Sequence, residues 1–328
     1  MSRVTHEPAA AAQRLAEASR ALVTTHRSPD GDALGSELAI AELARGLGTE
    51  VTIVNRDPAP AGLLQLPGSE IIHVAAELPE NLLTEFDLVV TMECPGLERP
   101  GFSGLDRLPI LNIDHHLANQ QYGELNYVDE ESPAVGEMVW RMFTAVNRPP
   151  SADAATNMFV ALSTDTGDFR YSNATPRAFH AAGEMVAAGA RPEQVAGWVH
   201  EQHSASSIRL LSEALKTLRL TCDGRLAIIT VDQDAFRRAG ATQSDTEDIV
   251  NVPRAIADVR VVAFLKQWTP DAVRVSLRSK DRIDVRSVAV AFGGGGHTNA
   301  AGCTIEGNLS TALELLTFRL KELLECDS

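Results

Sequence analysis

Histidine and carboxylate side chains fall in a few tight groups along this 328-residue chain. The segment THRSPDGDALGS places His26, Asp30 and Asp32 close together just past an apolar run. Imidazole mixed with several oxygen donors suits a divalent ion of intermediate hardness, Mn²⁺ first and Mg²⁺ or Co²⁺ after it, better than a thiolate zinc site. PDGD is also an ordinary turn sequence, so this stretch draws its weight from its companions. NIDHHLANQ supplies Asp114, His115 and His116 at the end of a second apolar run. Where a strand is ending, neighbouring side chains need not share a side. One histidine can then ligate a metal while the other donates a hydrogen bond to a phosphate oxygen. Glu93 in VVTMECPG and Asp165 in LSTDTGDF add two more carboxylates, each of which alone could cap a helix or face solvent. A divalent ion held by such a set would lower the pKa of a bound water.

A separate feature lies near the C-terminus. FGGGGHTNAAG runs four glycines together at 293–296, which permits positive φ and close approach of backbone N–H groups to an anion.

The elements that position these groups follow from the hydrophobic pattern. The first half alternates apolar strand-like runs with helical patterns, the signature of a parallel sheet flanked by helices. The pattern predicts a helix over 9–20, strands at ALVTTH, EVTIVN, IIHV, FDLVVTM and PILNID, and a helix over 35–47. Three further helices are expected at PAVGEMVWRMFTAV, DAATNMFVALSTDTG and TPRAFHAAGEMVAAG. His26, Glu93 and Asp114 each follow an apolar run, and ligands of open α/β sheets collect beyond the carboxyl ends of strands. Residues 191–215 read as a polar helical linker. Beyond them LAIITV, VVAFLKQ and AVRVSLRS read as strands, with helices at 244–257 and 309–325. The fold class is therefore α/β: a mostly parallel sheet with helices on both faces, then a smaller mixed α/β domain. Two domains also agree with a length above that of one usual core.

The motifs together resemble the DHH phosphoesterase superfamily. HRSPDGDALGS, the acidic residue after LVVTM, DHH at 114–116 and STDTGDF are similar to its motifs I to IV, in order, and FGGGGHTNAAGC is similar to the signature of the DHHA1 domain. The resemblance covers nearly the whole chain. It implies a DHH catalytic domain at 1–190, a helical linker at 191–215 and a DHHA1 substrate-binding domain at 216–328. It also implies that His26 and Asp30 hold one metal, that Asp32, His115 and Asp165 hold a second, and that residue 93 bridges them. Asp114 would steady a histidine from behind, and His116 would face the scissile phosphate as electrostatic stabiliser or general acid. In the second domain Arg278, Ser279, Gly295, Gly296 and His297 would grip the far end of the substrate.

The family generally has Asp where this chain has Glu93. The added methylene lengthens the arm by ~1.5 Å, which implies altered metal spacing, altered metal preference or a lost ion. The branch with two compact domains resembles nanoRNases, which degrade short oligonucleotides and remove the 3′-phosphate of 3′-phosphoadenosine 5′-phosphate. Two alternatives stand beside that reading. One is a phosphodiesterase of linear dinucleotides derived from cyclic ones, and the other a nucleotide-binding protein impaired by Glu93.

Composition narrows the partners. A net charge of −15 argues against a protein that coats long nucleic acid, whose binding rests on many Lys and Arg contacts to phosphate. A small nucleotide or short oligonucleotide fits, with bound ions supplying local positive charge; a homodimer is compatible. No secretory core or membrane span is legible, so no membrane partner is expected. Cys94, Cys222, Cys303 and Cys326 form no CxxC pair. They are expected to be free thiols in a reducing cytoplasm.

Overall fold

The computed structural model describes residues 3–78, 82–246 and 249–326, which divide into two compact units, 1–202 and 203–328. The first unit runs β1 (Arg3–Thr5), α1 (Pro8–Ala16), β2 (Arg20–Thr25), α2 (Gly31–Leu47), β3 (Glu50–Asn55), β4 (Ile72–Val74), β5 (Leu88–Met92), β6 (Ile110–Asp114) and β7 (Leu125–Val128). Four helices follow: α3 (Val135–Ala145), α4 (Ala152–Asp165), α5 (Pro176–Ala187) and α6 (Pro192–His200). The seven strands form one all-parallel sheet in the order β1-β7-β6-β5-β2-β3-β4. Strand order reverses between β2 and β5, and that is where ligands bind in open α/β sheets. β2, β5, β6 and β7 are buried almost throughout, so they read as continuous apolar runs and not as alternations.

On one face α2 lies against α4 at close range. A methyl built on Gly35 would sit 2.2 Å from the carbonyl oxygen of Asn157, so only glycine lets these helices approach so far. At Gly31 a methyl would likewise meet the Thr164 side chain, which fixes the start of α2 relative to the end of α4. The helix predicted over 35–47 begins earlier, at Gly31, because Asp30 caps it by accepting from the Ala33 N–H. Asp32 is therefore a residue of a helical first turn and not of a loop.

The second unit comprises α7 (Ala205–Lys216), β8 (Arg219–Thr221), β9 (Leu226–Val231), α8 (Gln233–Ala239), β10 (Val261–Thr269), β11 (Ala272–Ser279), α9 (Val285–Ala291), β12 (Gly295–His297), β13 (Ala300–Glu306) and α10 (Leu309–Leu323). Its mixed sheet has the order β12-β13-β11-β10-β9-β8, with only β9 and β10 parallel. Val273, Val275 and Leu277 of β11 pack on α9 and α10, while Phe264 of β10 packs with α7 and α8 on the other face. The helix predicted over 244–257 is replaced among the described residues by three short 3-10 turns at 243–246, 249–251 and 253–255. Pro253 supplies no N–H and bars a continuous α-helix there.

Cys222 and Cys326 form a disulfide across 104 residues, against the expectation of free thiols. A pairing at that separation leaves no trace in cysteine spacing. Cys94 and Cys303 are free and buried. Among the described residues no helix is long and apolar enough to cross a membrane.

Candidate metal centre

Six ionisable side chains of the first unit meet at element ends. His26 follows β2, Glu93 follows β5, and His115 follows Asp114, the last residue of β6. Asp30 caps α2, Asp32 stands in its first turn, and Asp165 ends α4. Their ligand atoms form two groups that share one member. His26, Asp30 and Glu93 lie within mutual reach of one ion, and so do Asp32, Glu93, His115 and Asp165. In the first group His26 Nε2 is 3.3 Å from Glu93 Oε2 and 4.0 Å from Asp30 Oδ2. In the second, His115 Nε2 is 3.8 Å from both Asp32 Oδ2 and Asp165 Oδ2. A third grouping joins Glu93 to His115 and His116.

Hydrogen bonds orient both imidazoles. The Nδ1 of His26 lies 2.9 Å from the Arg27 carbonyl and that of His115 3.0 Å from the Ser132 carbonyl. With the proton on Nδ1 in each, the Nε2 lone pairs face the carboxylates, the arrangement metal-binding histidines adopt. Asp32 is 1% exposed and triply held: its Oδ2 accepts from the Val135 N–H at 2.7 Å, and its Oδ1 from the Gly136 N–H at 2.9 Å and Ser36 Oγ at 3.0 Å. The first two donors are open amides at the start of α3, where a helix favours negative charge.

Glu93 has φ 57°, left-handed backbone that costs a non-glycine residue about 1 kcal/mol. Its surroundings enforce the turn. Its own N–H donates to the Ile113 carbonyl, and the next carbonyl, of Cys94, accepts from Asn112 Nδ2 and Tyr122 OH.

Electrostatics show what the cluster wants. Burial first, then neighbouring acids, raises the Asp32 carboxyl to about 7. Burial, Asp32, Asp30 and Asp165 push Glu93 well up. Burial and Asp30 raise Asp165 against the pull of His115. For His115 burial acts to lower the pKa, but Asp32 and Asp165 outweigh it and the net direction is upward. Four carboxylates so placed repel one another without compensating positive charge. The oxygen and imidazole donor set fits divalent cations.

Beside the groups His116 Nδ1 is 2.9 Å from Asp114 Oδ1, and its side chain is 38% exposed, which leaves Nε2 for a ligand. Asp114 is fully buried and its Oδ2 accepts from Asn119 Nδ2 at 2.5 Å. Four supporting residues were not legible as site residues. They are Asn119, Ser132, Asn173, whose amide lies 3.3 Å from Asp165 Oδ2, and Arg177. Arg177 ties Glu137 and Asp129 together, and Glu137 in turn accepts from the Ser132 hydroxyl. Three are single polar residues in loops and Arg177 stands in the first turn of α5, and none carries a spacing that could have marked it.

In the second unit Gly295 and Gly296 pair with Gly302 and Ala301. His297 pairs with Ala300, and the description of His297 covers its backbone only. Arg278 is the penultimate residue of β11, with Nη1 donating to the Leu277 carbonyl. Ser279 is buried, and its hydroxyl donates to the Ile283 carbonyl at 2.6 Å while accepting from Asn299, so it holds a turn. A cavity of about 640 Å³ lies beside the glycine run.

Known proteins resemble the chain in both units. The DHH family N-terminal domain matches residues 20–162 and the DHHA1 domain matches residues 223–323. The bifunctional oligoribonuclease and PAP phosphatase NrnA of Thermus thermophilus is 30% identical over 92% of this chain and 89% of its own length. Among solved structures, an exopolyphosphatase-related protein from Bacteroides fragilis superposes with a TM-score of 0.85 at 24% identity, covering 96% of this chain and 98% of that one. Exonuclease RecJ bound to manganese shares the fold, with a TM-score of 0.52 at 14% identity over 96% of this chain and 93% of that one.

Proposed function

Since the chain belongs to the DHH–DHHA1 phosphoesterases, a family of hydrolases, we propose that it hydrolyses short oligonucleotides and the 3′-phosphate of 3′-phosphoadenosine 5′-phosphate. The observation that carries this reading is the pair of ligand groups sharing Glu93. His26 and Asp30 would hold one divalent ion, and Asp32, His115 and Asp165 the other, with Glu93 common to both. Two ions, Mn²⁺ by preference, would supply Lewis acidity and positive charge to an attacking water and to the phosphate oxygens.

The chain's own residues do the rest. Asp114 accepts from His116 Nδ1–H, and in the imidazolium form the exposed Nε2–H can donate to the phosphate or protonate the leaving oxygen. Asp32, buried and held by three donors, keeps its group in register without rearrangement. Catalysis is assigned to residues 1–190 and substrate holding to 216–328, with 191–215 as linker. The substrate names borne by the Thermus relative and the charge of −15 both favour small substrates over long polymers.

The test is metal-dependent hydrolysis of a dinucleotide, a longer RNA, a linear dinucleotide from a cyclic one, and 3′-phosphoadenosine 5′-phosphate, measured side by side after chelation and reconstitution. Turnover of the dinucleotide and the bisphosphate, lost in His115→Ala, is expected. Fastest cleavage of the longer RNA would overturn the proposed substrate class.

A further inference from the structure

Apolar side chains that no core covers border the two ligand groups of the first unit. Leu117, one residue past His116, is 76% exposed, and Tyr171, in the loop after α4, is 53% exposed. His115 Nε2 lies 3.8 Å from Asp165 Oδ2, so the segments carrying these two side chains meet at one place. A phosphate would find nothing to hold on either of them.

The position of Tyr171 is enforced. After α4 the backbone runs left-handed through Gly167, Asp168 and Phe169, at φ 57°, 56° and 61°. Only the first is glycine, and such a run persists only where its surroundings over-determine it. The Asp168 N–H donates to the Ser163 carbonyl at 2.7 Å, and its carboxylate accepts from Ser163 Oγ and Arg170 Nη2, each at 3.0 Å. His200 Nε2 lies 3.0 Å from the same carboxylate. The Phe169 N–H donates to Thr166 Oγ1, and its ring stacks on Phe179 with centroids 5.1 Å apart. None of these contacts involves a member of the two ligand groups.

Their product is the return of the chain over its own turn. A methyl on Gly167 would sit 2.4 Å from carbons of the Tyr171 ring, so the ring rests on glycine backbone. Two residues of chain, about 7 Å at most, separate that glycine from Asp165. On the other side of Tyr171 the Asn173 amide lies 3.3 Å from Asp165 Oδ2. Tyr171 is thus pinned beside Asp165 with one side of its ring covered and the rest open to solvent. A fixed, exposed aromatic ring is a stacking surface, and it accepts any base because every base has a π-face.

The proposed reaction says which base arrives there. Water attacks phosphorus, the bond to the 3′-oxygen of the first nucleoside breaks, and that oxygen takes a proton. In a dinucleotide the phosphate then stays on the 5′-oxygen of a second nucleoside. In 3′-phosphoadenosine 5′-phosphate it leaves as inorganic phosphate. Only the dinucleotide has a second base, and one ribose joins that base to the reacting phosphate, which keeps it near the ligand groups. We infer that Tyr171 stacks on the base of this second nucleoside and so favours phosphodiester over phosphomonoester substrates. The inference rests on the proposed function and divides its two substrates.

The test compares three substrates on the reconstituted full chain: a dinucleotide, the same dinucleotide with an abasic second ribose, and 3′-phosphoadenosine 5′-phosphate. Tyr171→Ala should raise KM for the dinucleotide about ten- to a hundredfold, the loss of one base–aromatic stack, and Tyr171→Phe should restore it. KM for the abasic dinucleotide and for the bisphosphate should not rise with it, since neither has a second base. An unchanged dinucleotide KM in Tyr171→Ala overturns the subsite. An equal loss on all three substrates also overturns it, because Tyr171 would then only cover the Gly167 turn. If no substrate is turned over, the same protein is titrated calorimetrically with the dinucleotide and its abasic form. Tighter binding of the dinucleotide that is lost in Tyr171→Ala leaves the subsite standing and removes the proposed function. Hydrolysis of dinucleotide and bisphosphate with no Tyr171-dependent difference between them does the reverse.

Discussion

Shortening Glu93 to Asp separates reach from charge at the one residue common to both ligand groups. Two octahedral donors each about 2.1 Å from a small divalent ion lie about 3 Å apart, close to the 3.3 Å between His26 Nε2 and Glu93 Oε2. Asp withdraws the carboxylate by ~1.5 Å. The left-handed turn at residue 93 is held by the Ile113, Asn112 and Tyr122 contacts, so the backbone does not follow it inward. Although Asp is the residue the family generally carries, Glu93→Asp in this chain should lose the ion held by His26 and Asp30. Metal content measured by native mass spectrometry at micromolar Mn²⁺ should fall from two ions to one, and kcat/KM by about a hundredfold or more, as expected for a misplacement above 1 Å. Glu93→Gln keeps the reach and loses the charge, and should require higher Mn²⁺ for the same occupancy. If Glu93→Asp keeps two ions and the parent rate at the same Mn²⁺ concentration, the length of this arm does not assemble the site.

Other consequences follow from groups outside the ligand sets. Glu37 of α2 is fully buried, and burial raises its carboxyl to about 8 against a hydrogen bond from Asn55. The folded chain keeps that proton while the unfolded chain releases it near 4.5, so stability should fall as pH rises from about 4.5 to 8. Glu37→Gln should flatten that slope and gain a few kcal/mol above pH 8, read from melts across pH 5–9; an unchanged slope would refute the assignment. Cys222→Ser should lower the stability of the second unit by about 2–4 kcal/mol, and a reductant should do the same to the parent and nothing to the variant. Free thiols at both positions in non-reducing mass spectrometry would contradict the pairing. Asn119→Ala leaves Asp114 without its amide donor; kcat should fall about tenfold at unchanged metal content, because the group it steadies is His116 and not an ion. An unaltered kcat would make Asn119 a loop residue only.

How much of this was legible beforehand depends on range. The β2, β5 and β6 runs announced themselves because strands buried on both faces must be continuously apolar. His26 and Glu93 were marked by lying just beyond them, and Asp114 by ending β6. β1 and β7, three and four residues long, were too short to rise above the surrounding loops. Asp32 was visible as a residue but not as a helical one, since the capping role of Asp30 had to be seen before α2 could be started early. Tyr171 reads as one more loop residue, and only the left-handed run at 167–169 brings its ring back onto Gly167. The Cys222–Cys326 bond is a fact of three-dimensional proximity alone.

The grip on Asp32 sets a limit on stoichiometry. A carboxylate has about four lone-pair sites, and the amides of Val135 and Gly136 with the hydroxyl of Ser36 occupy three of them. One remains, on Oδ2, the oxygen that faces His115. Asp32 can therefore give an ion a single bond and not a bidentate pair. With His115, Asp165 and Glu93 beside it, the protein would offer such an ion four donor residues, which would leave the ion able to take up a water and a substrate oxygen as well.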